Sequence, residues 1–288
     1  MVPITITDVR AVPGDSGFLI DDGKTAILYD SGFAFTGFAV LENIRHLLGH
    51  RSLDYILLTH SHYDHVLGVA SLLTAYPQAK VVAASHAAVV FARASAKATM
   101  RELNKRAADQ QQADPSDHLV DNLRVDIPVQ DGDVIHCGSL AFTVLALPGH
   151  TKCSVGYHLA ENKLLLGTET LGVYFGSNTY LPSFLVGYQA TLDAFHKVKL
   201  LDAESMLLPH YGVVDGDALR TYLRASEAVT RSTAQTILSM FRQDKNEEEI
   251  LAYLKEKDYL DHVKPLYPID AFLMNTRIMI EQVRKELL

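Results

Sequence analysis

Cysteine is scarce in this chain. Its two copies, Cys137 and Cys153, show no spacing that could frame a disulfide network, so stability has to come from packing. Basic charge is also in short supply. The lysines and arginines, 26 in all, stand against 34 acids, for a formal net charge of −8. A surface of that sign repels a phosphate backbone, which excludes nucleic acid as a natural partner. Long apolar runs are missing as well. No stretch reaches the ~20 residues that cross a bilayer, and the opening MVPITITDVRAV has neither the basic start nor the apolar centre of a secretory signal. The expectation is a cytoplasmic protein without membrane contact.

What is present is ample core material, 48% hydrophobic residues, in an alternating pattern. TITDVRAV, SGFLIDD and TAILYDSG predict strands punctuated by Asp-Gly and Ser-Gly, with DDGK as a hairpin turn. A helix over 39–48, a short apolar strand at 55–58, a helix ending near Pro77 and a strand over 80–84 follow. This is an α/β layout. Residues 86–121 turn Ala-rich and charged with few large apolar anchors, which predicts a helical insertion that acts as a lid. Its basic run Arg93, Lys97, Arg101, Lys105 and Arg106 fits the solvated face of a helix. Short strands resume around 134–135, 140–147, 156–159 and 163–167, and beyond Asp215 the pattern is helical over 219–242, 247–256 and 271–287. The expected division is a catalytic unit over 1–215 and a helical extension over 216–288. Pro265, Tyr267, Pro268, Phe272 and Asn275 could cover a pocket. Phe272, Met274, Ile278, Ile280 and Val283 exceed what one helix face needs, which raises a homodimer as an option.

The chemistry gathers at LTHSHYDHV, where His60, His62, Asp64 and His65 fall at a strand-to-helix turn. In an extended or turning segment His60 and His62 point the same way, while Asp64 and His65 swing toward a neighbouring position. Imidazole and carboxylate donors without cysteine suit an open catalytic site for Zn²⁺, Fe²⁺ or Mn²⁺ rather than a closed structural one. Further donors stand at later strand ends: His150 in LALPGHT, Glu169 after LLLGT and His210 in MLLPHYG.

This order of motifs resembles the metallo-β-lactamase superfamily, marked by H-x-H-x-D-H, then a histidine in a P-G-H-[ST] turn, a later acidic residue and a final histidine. The likeness covers roughly residues 3–212. It implies an αββα four-layer sandwich of two mixed β-sheets, with two divalent transition-metal ions at one edge. Zn²⁺ is the first choice, with Fe or Mn as alternatives. By the resemblance His60, His62 and His150 would hold one metal, Asp64, His65 and His210 the other, and Glu169 would take the place of the bridging carboxylate. The family commonly has aspartate there, and the extra methylene displaces the carboxylate by roughly 1.5 Å.

The activity implied is metal-dependent hydrolysis of a small ester, thioester, lactone or related molecule by a metal-bridging hydroxide, with Asp64 orienting that hydroxide or moving its proton. The helical C-terminal extension resembles that of glyoxalase II-like members. Tyr174 and Tyr211 are candidate donors to a developing oxyanion. Cys153 reads as a small packed residue, and Asp30 as an acceptor for a ligand imidazole's free N–H. Two alternatives remain: a mononuclear-iron oxidoreductase similar to the superfamily's persulfide dioxygenases, and a non-catalytic ligand-binding regulator with a retained metal site.

Overall fold

The computed structural model describes residues 2–288, apart from the side chain of Leu119; the first residue of the expected 1–215 unit lies outside them. The first half runs β1 (Thr5–Asp8), β2 (Phe18–Asp21), β3 (Ala26–Tyr29), α1 (Gly37–Leu48), β4 (Tyr55–Leu57), α2 (Tyr63–Val66), α3 (Val69–Ala75), β5 (Lys80–Ala84), α4 (Ser85–Phe91), α5 (Ala94–Gln110) and β6 (Ile127–Val129). The second runs β7 (Val134–Cys137), β8 (Leu140–Ala146), β9 (Val155–Leu159), β10 (Leu164–Leu166), β11 (Val173–Tyr174), β12 (Tyr180–Leu181), α6 (Tyr188–Lys199), β13 (Ser205–Leu208), β14 (Gly212–Asp215), α7 (Gly216–Arg242), α8 (Glu247–Asp258) and α9 (Ile269–Leu287).

Each half contributes one six-stranded mixed sheet, in the orders β1-β2-β3-β4-β5-β6 and β14-β13-β10-β9-β8-β7. In the first, β1–β3 are antiparallel neighbours and β3–β6 are parallel. The strands that lie inside the sandwich are nearly all apolar, as strands covered on both faces must be: β3 and β10 are buried at every position. The sheets pack face to face through a core that joins Tyr29, Leu57 and Val82 of one to Phe142, Tyr157 and Leu166 of the other. Two tyrosines tie them further. Tyr29 Oη donates to the Gly167 carbonyl at 2.6 Å, and Tyr157 Oη donates to that of Leu58 at 2.8 Å. Burying those hydroxyls is tolerable because each has its partner.

Helices cover the outer faces. Val40, Leu41, Ile44 and Leu48 of α1 bury one stripe of a 3.6-residue repeat against the first sheet. Phe195 and Val198 of α6, with Leu219 and Tyr222 of α7, cover the second. The sandwich is thus the expected αββα arrangement, extended by α8 and α9.

Two regions differ from their compositional reading. Residues 86–121 carry more anchors than their alanine content suggests, because Phe91, Met100 and Val120 reach the main core and Asn104 is fully buried. Asn104 Oδ1 accepts from the Ala34 amide at 3.0 Å, and its Nδ2 donates to the Pro115 carbonyl at 2.7 Å. The basic run lies along α5, with Arg101 paired to Asp121 and Arg106 to Glu102. The apolar surplus of α9 is used within the chain. Ile280 and Val283 pack with Ile237, Leu251 and Leu254, while Phe272 packs with Leu181 and Val263. Of the five residues behind the homodimer option, Met274 alone stays exposed.

Candidate metal centre

Seven donor residues gather from the ends of four strands. His60 and His62 follow β4, Asp64 and His65 lie just beyond them in the one-turn helix α2, and His150 follows β8. Glu169 opens a 3₁₀ turn just past β10, and His210 follows β13. Tight backbone approaches hold these turns. A Cβ on Gly68 would lie 1.9 Å from the Ser31 carbonyl oxygen, so only glycine lets the segment after α2 close on the loop beyond β3. Gly149, at φ +146°, would place a Cβ 2.3 Å from Thr191 Oγ1, which fixes the Pro-Gly turn that aims His150.

The donors fall into two groups of four. His60, His62, His150 and Glu169 form one, and Asp64, His65, Glu169 and His210 the other, with the ligand atoms of each group within 4.8 Å of one another. Glu169 belongs to both. Its Oε2 lies 2.9 Å from His150 Nε2, and its Oε1 lies 2.5 Å from His210 Nε2 and 3.5 Å from His65 Nε2. Asp64 Oδ2 is 3.6 Å from His65 Nε2 and 3.7 Å from His210 Nε2.

Hydrogen-bond arithmetic decides which ring nitrogens are free. Asp30 is fully buried, and its Oδ2 lies 2.8 Å from His65 Nδ1. A carboxylate only accepts, so Nδ1 carries a proton and Nε2 is the nitrogen left to face an ion. Thr59 gives its hydroxyl proton to Asp30 at 2.9 Å, so its oxygen can only accept from His60 Nδ1, 3.0 Å away. His210 Nδ1 donates to the Asp15 carbonyl at 3.2 Å. His150 Nδ1 is taken by Ser183 Oγ at 2.6 Å. His62 is turned the other way, its Nδ1 lying 2.9 Å from His150 Nε2.

The consequence is a test of fit. His60 Nε2 and His65 Nε2 are buried with no hydrogen-bond partner, on rings whose centroids are 4.1 Å apart. An unpartnered buried polar atom costs about 1–3 kcal/mol, and two sharing one cluster call for an external electrophile. A mixed imidazole and carboxylate set without thiolate suits a divalent transition metal. The residues present fit such an ion.

Electrostatics without an ion agree. Burial and the neighbouring His65 and His62 hold His60 well below the usual histidine range. Burial and His150 do the same to His62. Burial would raise Glu169, but the neighbouring His150 and hydrogen bonds from His150 and His210 hold it well below the usual carboxylate range. For His65 burial opposes charge, yet Asp30 and Asp64 lift it well above the ordinary value. Cation and carboxylate are thus packed where a metal's charge would substitute for protons.

A cleft of about 890 Å³, counted out to its open mouth, leads to this centre. His62, Asp64, Glu169 and His210 form its floor, and Phe33, Tyr63, Phe175, Tyr267, Ala271 and Met274 are among its walls. Tyr174 and Tyr211 both line it, their rings 4.5 Å apart, and Tyr211 is 42% exposed. Among the described residues of 86–121, Leu103 alone lines it. Cys153 is buried under the site, 3.2 Å from Ser61 Oγ. Thr59 and Ser183 are the supporting residues that sequence reasoning missed. Thr59 could have been found by its place beside His60, whereas Ser183 is 33 residues from His150 and left no signal.

A family profile described as the metallo-beta-lactamase superfamily matches residues 11–210, and the chain belongs to that superfamily. A hydroxyacylglutathione hydrolase of Rhodopseudomonas palustris (strain BisB5) is 33% identical over 170 residues, 57% of this chain and 52% of the relative. A protein of the same name from Legionella pneumophila (strain Corby) is 30% identical over 120 residues, 42% of this chain and 34% of the relative. The chain therefore spans about half the length, or less, of these curated relatives. Among solved structures, a metallo-beta-lactamase family protein from Thermus thermophilus aligns with a TM-score of 0.66 at 17% identity, covering 99% of this chain and 93% of the other. An archaeal superfamily protein from Sulfolobus tokodaii aligns at 0.60 and 15% identity, covering 99% and 100%. At such identities the likeness concerns the fold, and it extends through the C-terminal helices. No helix among the described residues is long and apolar enough to cross a membrane.

Proposed function

We propose that this chain is a metal-dependent hydrolase of a small ester, thioester, lactone or related molecule. Its ligands would be His60, His62 and His150 on one side and Asp64, His65 and His210 on the other, with Glu169 shared. The observation that carries this reading is the membership of Glu169 in both four-residue groups. A pair of divalent transition metals, Zn²⁺ first and Fe or Mn next, would supply a lowered water pKa and a polarised acyl oxygen.

The chain's own part is to position and exclude. Asp30, Thr59 and the Ser183 backbone carbonyl, 3.3 Å from His150 Nδ1, fix the imidazole tautomers. Asp64, at the cleft floor, is placed to hold or move the proton of the attacking water. Tyr174 and Tyr211 line the approach, where a phenol can donate to a developing oxyanion. Residues 1–215 form the catalytic unit in this reading, and 216–288 the extension that closes the cleft, with 86–121 touching its mouth through Leu103. The name of the hydroxyacylglutathione hydrolases makes acylated glutathione, a thioester, part of the panel to test. The second group of donors weighs against a one-iron oxidoreductase.

Elemental analysis of the purified chain with a hydrolase panel tests the reading. Close to two transition-metal ions per chain are expected, falling toward one in Glu169→Gln with about a 10- to 100-fold loss of rate. One ion at saturation in the intact protein, or unchanged loading in Glu169→Ala, would remove the shared-carboxylate arrangement.

A further inference from the structure

The walls of the cleft differ in chemistry from its floor. Every charge among the described lining residues is on the floor, in Asp64, Glu169 and the histidines. The walls are neutral, from Phe33 and Leu103 on one side to Phe175, Ala271 and Met274 on the other. A carboxylate on the distal part of a substrate would be desolvated there largely against carbon, at a cost that no cationic side chain in the wall offsets. An acyl chain would be desolvated there with gain.

One polar group in this wall is held ready. Asn275 Nδ2 donates to Tyr267 Oη at 2.6 Å, which occupies the phenol oxygen as an acceptor. The Tyr267 hydroxyl proton has no acceptor among the described residues, and the phenol lines the cleft. The ring cannot easily turn away. It stacks on Phe175 at 5.9 Å, meets Phe272 edge-on at 5.9 Å, and its backbone carbonyl accepts from Tyr259 Oη at 2.8 Å. A fixed donor in an apolar wall binds an acceptor oxygen of a neutral molecule more strongly than it would in water.

We propose that the cleft selects an uncharged ester or lactone with an apolar acyl group, and that Tyr267, oriented by Asn275, donates its hydroxyl proton in a hydrogen bond to an oxygen of that substrate. The activity half of this statement rests on the hydrolase reading above; the selectivity half does not. In the reaction the acyl C–O bond breaks, water gives its oxygen to the acyl carbon, and its proton goes to the departing alkoxide oxygen. Glutathione thioesters, which carry carboxylates, fit these walls poorly.

The test uses the full chain loaded with Zn²⁺ or Mn²⁺ and compares matched six-carbon acyl groups. A neutral hexanoate ester should exceed hexanoyl-glutathione in kcat/KM by about tenfold or more, the penalty of one poorly solvated charge. Met274 is 40% exposed, so Met274→Lys should fold and should narrow or reverse that ratio. Tyr267→Phe should lower kcat/KM for the neutral ester by about tenfold, one hydrogen bond's worth. Calorimetry with hexanamide and S-hexylglutathione reads the same preference without turnover, and hexanamide should bind more tightly. Equal or tighter binding of S-hexylglutathione overturns the proposed selectivity even if esters are hydrolysed. Tighter hexanamide binding with no ester or thioester turned over supports the selectivity and sinks the hydrolase reading instead. A Tyr267→Phe protein that binds hexanamide as well as wild type removes the donor role.

Discussion

The floor and the walls of the cleft are built on different principles. Floor side chains sit at the ends of buried strands and are fixed by directed hydrogen bonds, as Asp30 fixes His65 and Ser183 fixes His150. The walls come largely from residues 173–175, in and just after β11, and from residues 266–275, at the start of α9, held by aromatic contacts such as Tyr259 on Phe272 at 4.9 Å. Directional bonds set geometry to tenths of an ångström, which metal coordination demands. Apolar contacts tolerate volume-conserving change. Chemistry and selectivity can therefore be altered separately in this fold, and the comparison can be broken at either end.

The harshest break is in the floor. His62→Ala should cost activity about 100-fold or more, beyond even the loss of an outer-shell partner, while far-ultraviolet circular dichroism stays native because the core does not depend on the metal. A collapse of structure on chelation or in this variant would show that floor and core are one unit.

The seam between floor and walls comes next. Gly14 lies under the wall, where a Cβ would meet the Leu266 carbonyl oxygen at 2.4 Å, and the Asp15 carbonyl takes the His210 proton. Burial pushes the Asp15 carboxyl up to about 6, against hydrogen bonds from Thr36 and from the Ser16, Ala11 and Phe33 amides. A carboxyl raised in the folded state gives stability that is complete below its unfolded value near 3.8 and is lost as pH rises through about 6. That loss is worth up to about 3 kcal/mol. Asp15→Asn should therefore gain stability relative to wild type between pH 4 and pH 7 in thermal melts. A difference that is flat across that window would mean the carboxyl is ionised throughout.

A subtler test returns to the floor. Asp30→Asn keeps the shape but can present an amide N–H to His65, so metal affinity should fall by about 10- to 100-fold. Competition against a chromophoric chelator measures it, and unchanged affinity would reduce Asp30 to a packing role. The smallest effect is expected on the outer side of the wall. Arg277 bridges to Glu248 at 2.6 Å on the solvent side of α9, and Arg277→Ala should leave the denaturation midpoint almost unchanged. A larger loss in denaturant titration would show that α8 and α9 depend on charge as well as on their shared apolar core.

The same division governs what could be read from the chain. His60, His62, Asp64 and His65 are legible because a single short turn brings them together locally. His150, Glu169 and His210 are legible because each follows a short apolar strand whose exit points to one edge. The two- to four-residue strands β6, β11, β12 and β14 are too short for periodicity to reveal, and α6 begins without a side-chain cap to mark its start. The apolar residues of α9 were legible as apolar, but not as covered: only the packing of α7 and α8 shows that Ile280 and Val283 face their own chain. The anchoring of residues 86–121 rested on the same kind of contact, through Phe91, Met100 and Asn104.

Local order along the chain is enough to set the donor residues, the alternation that makes two sheets, and the helical character of the C-terminal segments, since these depend on neighbours within one turn or one strand. Only the assembled fold places Glu169 between two histidine groups, leaves Nε2 of His60 and of His65 without hydrogen-bond partners beside it, and turns Tyr267 and Met274 onto the same cleft as the donors. Those are relations between residues far apart in the chain, and they are set by how two sheets and their covering helices share apolar faces, a property no local pattern encodes.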